Sequence, residues 1–150
     1  MRYVKKQKKN IIINAACVNH SFKNKIITLF YQNLATKIHL NQPLESNIEE
    51  YSLPKDESKY RFDVEARTLD SIIDDIGVTN IDFISIDVEG YELEVIQGLN
   101  FNKINVNYIL VETNQYLIIA AYLFQFHFDF IEKISHHDYL FKRRIRDLNP

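Results

Sequence analysis

Ile81-Asp82-Phe83-Ile84-Ser85-Ile86-Asp87-Val88-Glu89-Gly90-Tyr91-Glu92 is the stretch on which the fold turns. Its first six residues are rich enough in isoleucine and phenylalanine to form a buried strand, and the acids and glycine that follow stop it. A helix is predicted next, over Tyr91 to Leu99, burying Leu93 and Ile96 with Val95 beside them. Upstream, Phe62 to Arg67 alternates polar and apolar as a half-exposed strand does, and Thr68 stands where a helix N-cap belongs. The helix it caps runs from Leu69 to Ile76: Leu69, Ile72, Ile73 and Ile76 recur at helical spacing, Asp70 sits in the positive first turn and Gly77 supplies the stop. Downstream, Val106 to Val111 reads as another buried strand, ending at Glu112, and Tyr116 to Phe124 as a buried helix. Phe128 to Ile134 and Tyr139 to Arg143 then form an antiparallel hairpin around a polar turn at Ser135 to Asp138. Strand and helix in alternation predict an α/β chain, an open sheet with helices on its faces.

The remaining segments are less regular. Ile11 to Val18 reads as a short buried strand, and Lys25 to Tyr31 as its hairpin partner or a nearby edge. From Gln32 to Lys59 the periodicity is lost and a long surface loop is expected, while residues 1–10 read as a basic helix end or tail. All 150 residues are expected to form one domain without internal repeats. With 46% apolar and 25% charged residues the composition is globular. The longest apolar run, Tyr116 to Phe124, is far short of the roughly 20 residues that span a membrane. No secretory segment follows the basic start, so a soluble, cytoplasmic protein with no membrane span is the expectation.

Several chemistries are excluded by counting. The single cysteine, Cys17, allows no internal disulfide and no cysteine-based zinc site, and in a buried strand it reads as a small core residue. Gly77, Gly90 and Gly98 are too far apart to build a phosphate-cradling loop. A net charge of −2 argues against a nucleic-acid partner, although Lys and Arg gather at both ends of the chain. His136 and His137 are adjacent and cannot both face one ion from a strand; no metal is expected there.

What remains is acidic. Ligands of open parallel sheets bind beyond the carboxyl ends of the strands. Asp87 and Glu89 follow one predicted strand and Glu112 another, so if the strands are neighbours the three acids share one rim. Carboxylates so placed can accept a proton from a hydroxyl, orient a cation or hold a divalent metal. The plainer reading is that an acid between strand and helix caps the helix, and for Glu89 the two weigh about equally. Gly90 can mean only that the backbone turns.

Thr68-Leu69-Asp70, the stretch from Ile81 to Glu92, and Leu110-Val111-Glu112, in that order and spacing, resemble the FkbM family of methyltransferases. Asn14-Ala15-Ala16, Phe130 to Ile134 and His137 to Phe141 extend the resemblance over nearly everything from Ile11 to Arg144 outside the long loop. The resemblance implies a class I methyltransferase, a Rossmann-like three-layer sandwich with strand order 3-2-1-4-5-7-6, S-adenosylmethionine as donor, and transfer of a methyl group to a hydroxyl of a sugar or secondary metabolite. By the same resemblance Asp87 faces the donor methyl and the acceptor as base or orienting group, Glu89 and Glu112 hold the acceptor or shape the pocket, and Asn14 and Ala15 lie near the adenine. The family's glycine loop and the two strands around it have no counterpart here, so the fold is expected to be incomplete. Ile11 to Val18 would be strand 3, without its usual neighbour, and Ile81 to Ile86 would be strand 4, with an open edge. Such an edge invites re-pairing, a homodimer or a partner chain, and a non-catalytic half-domain completed by a partner stands as the alternative to an autonomous enzyme.

Overall fold

The computed structural model describes residues 10–32, 35–38 and 61–144. Their elements are β1 (Ala16–Cys17), β2 (Ile26–Gln32), β3 (Ala35–Ile38), β4 (Arg61–Arg67), α1 (Leu69–Ile76), β5 (Asn80–Ile86), α2 (Glu92–Gln97), β6 (Asn105–Glu112), α3 (Tyr116–Phe124), β7 (Phe128–Lys133) and β8 (Asp138–Arg143). They form two four-stranded sheets, ordered β1-β4-β2-β3 and β5-β6-β8-β7.

Local chemistry places the elements from β4 onward where the sequence puts them. Thr68 caps α1 by accepting the Ser71 N–H at 3.2 Å, and Gly77 ends it in the left-handed region at φ 72°. In the second sheet β5 and β6 are parallel, while β8 returns antiparallel to β6 and carries β7 on its outer side. The hairpin therefore inserts its second strand next to β6, the order the resemblance gives to strands 4, 5, 7 and 6. One core holds this half together: Ile73 of α1, Val95 and Ile96 of α2 and Ile119 and Leu123 of α3 pack with Ile86, Ile109, Val111, Phe128 and Phe141 of the strands. At typical values, burying a side chain such as Phe141 contributes about 1.5–3 kcal/mol.

The N-terminal half departs from expectation. Only Ala16–Cys17 of the predicted strand Ile11 to Val18 forms a ladder, because just two residue pairs, Ala16 with Ala66 and Cys17 with Arg67, come into register with β4. Ile11 and Ile12, with no described strand beside them, stay 64% and 91% exposed. This segment nonetheless has a neighbour, the parallel β4, and is not the orphan that the strand order implied. β2 pairs antiparallel with β3 and β4 and not with β1, so the predicted partnership of the first two strands is replaced by two separate ones. Within the expected loop Gln32 to Lys59, β2 extends to Gln32 and Ala35–Ile38 forms β3, closing a hairpin against it. The alternating β-branched residues of Ala-Thr-Lys-Ile suit a strand. The rest of that stretch, residues 39–59, and the basic residues 1–9 lie outside the described residues. The single open sheet is thus corrected to two sheets, with Val18, Ile27 and Val64 as a small second core.

Gly98 marks where the halves meet. A Cβ there would lie 2.3 Å from the Val18 carbonyl oxygen, so only glycine lets the end of α2 approach the end of β1. The Gly98 carbonyl accepts the Asp70 N–H at 3.0 Å, and the Asp70 side chain accepts the Asn100 N–H at 2.8 Å.

The buried reading of β5 needs a second correction. Only Ile86 of this strand is buried, and Phe83 is 52% exposed. Among the described residues the strand pairs on one side only, and it presents one face to the core. On the other face Phe83 is in register with Tyr108, and Ser85 with Leu110; Phe83, Tyr108, Leu110 and Leu140 belong to neither core.

Candidate functional site

The parallel register sets the site. Ile86 stands opposite Val111, so Asp87 and Glu112 follow side by side at the ends of neighbouring strands, on the order of 5 Å apart as strand spacing dictates. Across the antiparallel pair, Glu112 stands opposite Asp138 at the start of β8. Three acids from three strands thus make one row. Glu89 joins them from the loop after β5, and a cleft of about 290 Å³ is lined by Asp87, Glu89, Gly90, Glu92, Glu112, Thr113 and His137 among others. Among the described residues no lysine or arginine lines it.

The loop that carries Glu89 has an unusual backbone. Glu89 adopts φ 54° and Gly90 φ 101°. Glycine tolerates this at no steric cost, whereas for Glu89 the left-handed region costs about 1–2 kcal/mol. The turn is held from within the fold. Glu92, 3% exposed, accepts the Gly90 N–H through Oε1 at 2.6 Å and the Thr113 hydroxyl through Oε2 at 3.3 Å. Thr113 is buried as well: its Oγ1 accepts the Gln115 N–H at 2.9 Å, and its own N–H donates to the His137 carbonyl at 2.8 Å. These bonds connect the loop after β5, the end of β6, the start of α3 and the turn between β7 and β8.

Asp87, Glu89 and Glu112 are all exposed to the cleft. The Asp87 carboxylate beside Glu112, with smaller contributions from desolvation, Asp138, Glu89 and a side-chain hydrogen bond with Asp87, holds the Glu112 carboxyl above the usual glutamate range. A carboxylate surrounded by others keeps its proton more readily and is a stronger base than an isolated one.

Of the residues singled out from the sequence, the structure brings Asp87, Glu89 and Glu112 into one cleft. Asn14 and Ala15 lie on the irregular segment before β1 and do not line it. Asp138, Glu92, Thr113 and His137 were not legible as site residues. Asp138 reads as a turn residue until β8 is known to pair with β6, and Glu92 reads as a first-turn acid favoured by the helix dipole. Glu92 had one usable signal, its place two residues after a glycine in a strand-to-helix turn. His136 and His137 sit in the hairpin turn, and among the described residues no group of three or more His, Cys, Asp or Glu side chains could hold a metal ion. Cys17 is half-buried, and burial pushes its thiol up against the opposing pull of Arg67, which suits a core residue. No helix among the described residues is long and apolar enough to cross a membrane.

The family model described as the methyltransferase FkbM domain matches residues 2–141, which takes in the first sheet, the acidic cleft and all of the second sheet but the last two residues of β8. The chain belongs to this family. No curated protein and no solved structure matches it.

Proposed function

We propose that this member of the FkbM methyltransferase family transfers a methyl group from S-adenosylmethionine to a hydroxyl oxygen of a small-molecule or glycan acceptor at the cleft between β5 and β6. The observation that carries this reading is the row Asp87, Glu112 and Asp138 with Glu89 beside it, at the carboxyl ends of two parallel strands where ligands of such sheets bind. The sheet order β5-β6-β8-β7 supports a class I methyltransferase arrangement for this half of the chain.

The lining residues fit the charge of the donor. Its reacting end is a sulfonium cation, and a cleft lined by carboxylates without lysine or arginine favours a cation. At about 290 Å³ the cleft sits at the lower edge of the roughly 300–1,000 Å³ usual for small-molecule sites and suits that cationic end. Asn14 and Ala15, which the resemblance sets near the adenine, belong to the remote end of the donor. When bound, the donor supplies an electrophilic methyl group. Asp87 would orient the acceptor oxygen toward it, and Glu112 would accept the hydroxyl proton as the oxygen–carbon bond forms and the donor's methyl carbon–sulfur bond breaks, releasing a neutral thioether. Glu89 closes the acceptor side of the cleft.

Calorimetric titration with S-adenosylmethionine tests the reading. Micromolar affinity is expected, and Glu112→Gln is expected to lower methyl transfer by about 10²–10⁴-fold. Absence of binding at millimolar donor would overturn an autonomous enzyme.

A second reading is favoured by one observation, the outer edge of β5, which has no strand partner among the described residues. On it the chain is a half-domain whose donor side comes from a partner or a second copy. An oligomer without donor affinity would support it.

A further inference from the structure

We infer that Glu92 is the positioning residue of the acidic cleft: its buried carboxylate, bonded to the Gly90 N–H and the Thr113 hydroxyl, holds the loop bearing Asp87 and Glu89 against the end of β6 that bears Glu112. The inference rests on the reading of this cleft as the reaction site and adds a residue that does not itself touch the reacting atoms.

A carboxylate that is 3% exposed is costly to bury unless its oxygens are hydrogen-bonded, and both oxygens of Glu92 have partners. The choice of partners separates positioning from capping. A residue that only capped α2 would bond amide groups of the helix's own first turn. Glu92 instead reaches back to Gly90, outside the helix, and across to Thr113 on another element. Thr113 in turn holds Gln115 and the His137 carbonyl, so one buried carboxylate ties the loop to β6, α3 and the β7–β8 turn together.

The loop needs such a tie for two reasons. Glu89 is kept in the left-handed region, from which a glutamate relaxes when released. The charges of Asp87 and Glu89 also act on Glu112, and when all three are ionised their repulsion pushes the loop away from β6. Glu92 bonds Gly90, the residue next to Glu89, and so opposes both tendencies at the point where they act.

The titration of the Glu112 carboxyl reports its distance from Asp87 and is read by carbon-13 NMR of the full chain, with neither donor nor acceptor present. The expected result is that Glu92→Ala brings the Glu112 midpoint down toward the ordinary glutamate value. Glu92→Gln, which removes the charge and keeps an acceptor for Gly90 and a donor toward Thr113, is expected to leave it raised. A purely structural role would lower the melting temperature of Glu92→Ala without moving the Glu112 midpoint, and that result overturns the inference. So does a midpoint that falls equally in Glu92→Gln. If Glu92→Ala does not fold, Thr113→Val removes the hydroxyl that links Glu92 to the end of β6, together with its bond from the Gln115 N–H, and leaves the Glu92–Gly90 bond in place; a lowered midpoint there supports the inference and an unmoved one overturns it. Because no methyl transfer is measured, this outcome is independent of whether the donor binds.

Discussion

The two edges of the second sheet are built on different plans. β7, at one edge, is interrupted by a bulge between Phe130 and Glu132, carries Asp129, Glu132 and Lys133, and has Asp129 ion-paired with Arg144 at 3.1 Å. Bulges and charges of this kind are how natural sheets keep an edge from pairing further. β5, at the other edge, is seven residues with a single charge, Asp82, and with Phe83 half in solvent. It has the composition of an interior strand and the neighbours of an edge. The comparison teaches that the outer side of β5 is not designed to stay solvated, and that the same strand, through Asp87 just beyond its end, supplies the first acid of the cleft.

The strongest way to sharpen this comparison is to set the interior against the unprotected edge. Phe141→Ala, on the strand between β6 and β7, removes a ring that is 1% exposed and is expected to cost about 3–5 kcal/mol. Phe83→Ala on β5 is expected to cost under about 1 kcal/mol, since surface changes usually stay small. Urea unfolding of the two variants measures both; equal losses would mean that β5 is covered after all. A lysine on β5 is the next test. Phe83→Lys gives this edge the kind of charge that β7 already has, and sedimentation at rising concentration is expected to show less self-association than the parent chain. An unchanged distribution would break the comparison.

The smallest expected effect lies where the edge meets the cleft. Glu112 is held above the usual glutamate range in the folded chain, so the folded state binds more protons than the unfolded one between the ordinary value and the raised one. Stability from this group therefore falls as pH rises through that interval and is flat on either side. Asp87→Asn removes the largest cause of the shift and is expected to flatten this part of the profile, read as melting temperature against pH.

Legibility in the sequence followed the range of the forces involved. Helix α1 was predictable to its ends because Thr68 and Gly77 act on their nearest neighbours; α3 was predictable as a helix but not as the buried one expected, since only Ile119 and Leu123 are buried while Leu117 and Phe124 are 78% and 62% exposed. Asp87, Glu89 and Glu112 were legible because their place after a strand is a local property, and the parallel pairing of β5 with β6 then joined them. Asp138 and Glu92 were not legible, because one depends on β8 lying against β6 and the other on a hydroxyl 21 residues away. The exposed face of β5 was misread because a run of isoleucine and phenylalanine does not say how many of its sides are covered.

By itself the sequence determined the order and type of the elements from β4 onward, the absence of a glycine-rich phosphate loop and the three acids after the strands, all of them matters of spacing, capping and count. Only the tertiary structure decided that β1 joins a separate sheet with β4, that Asp138 stands opposite Glu112 across β6 and β8, and that the buried Glu92 lines the cleft. Those outcomes depend on which distant strands share hydrogen bonds, a choice made by the balance of backbone pairing and core packing across the whole chain.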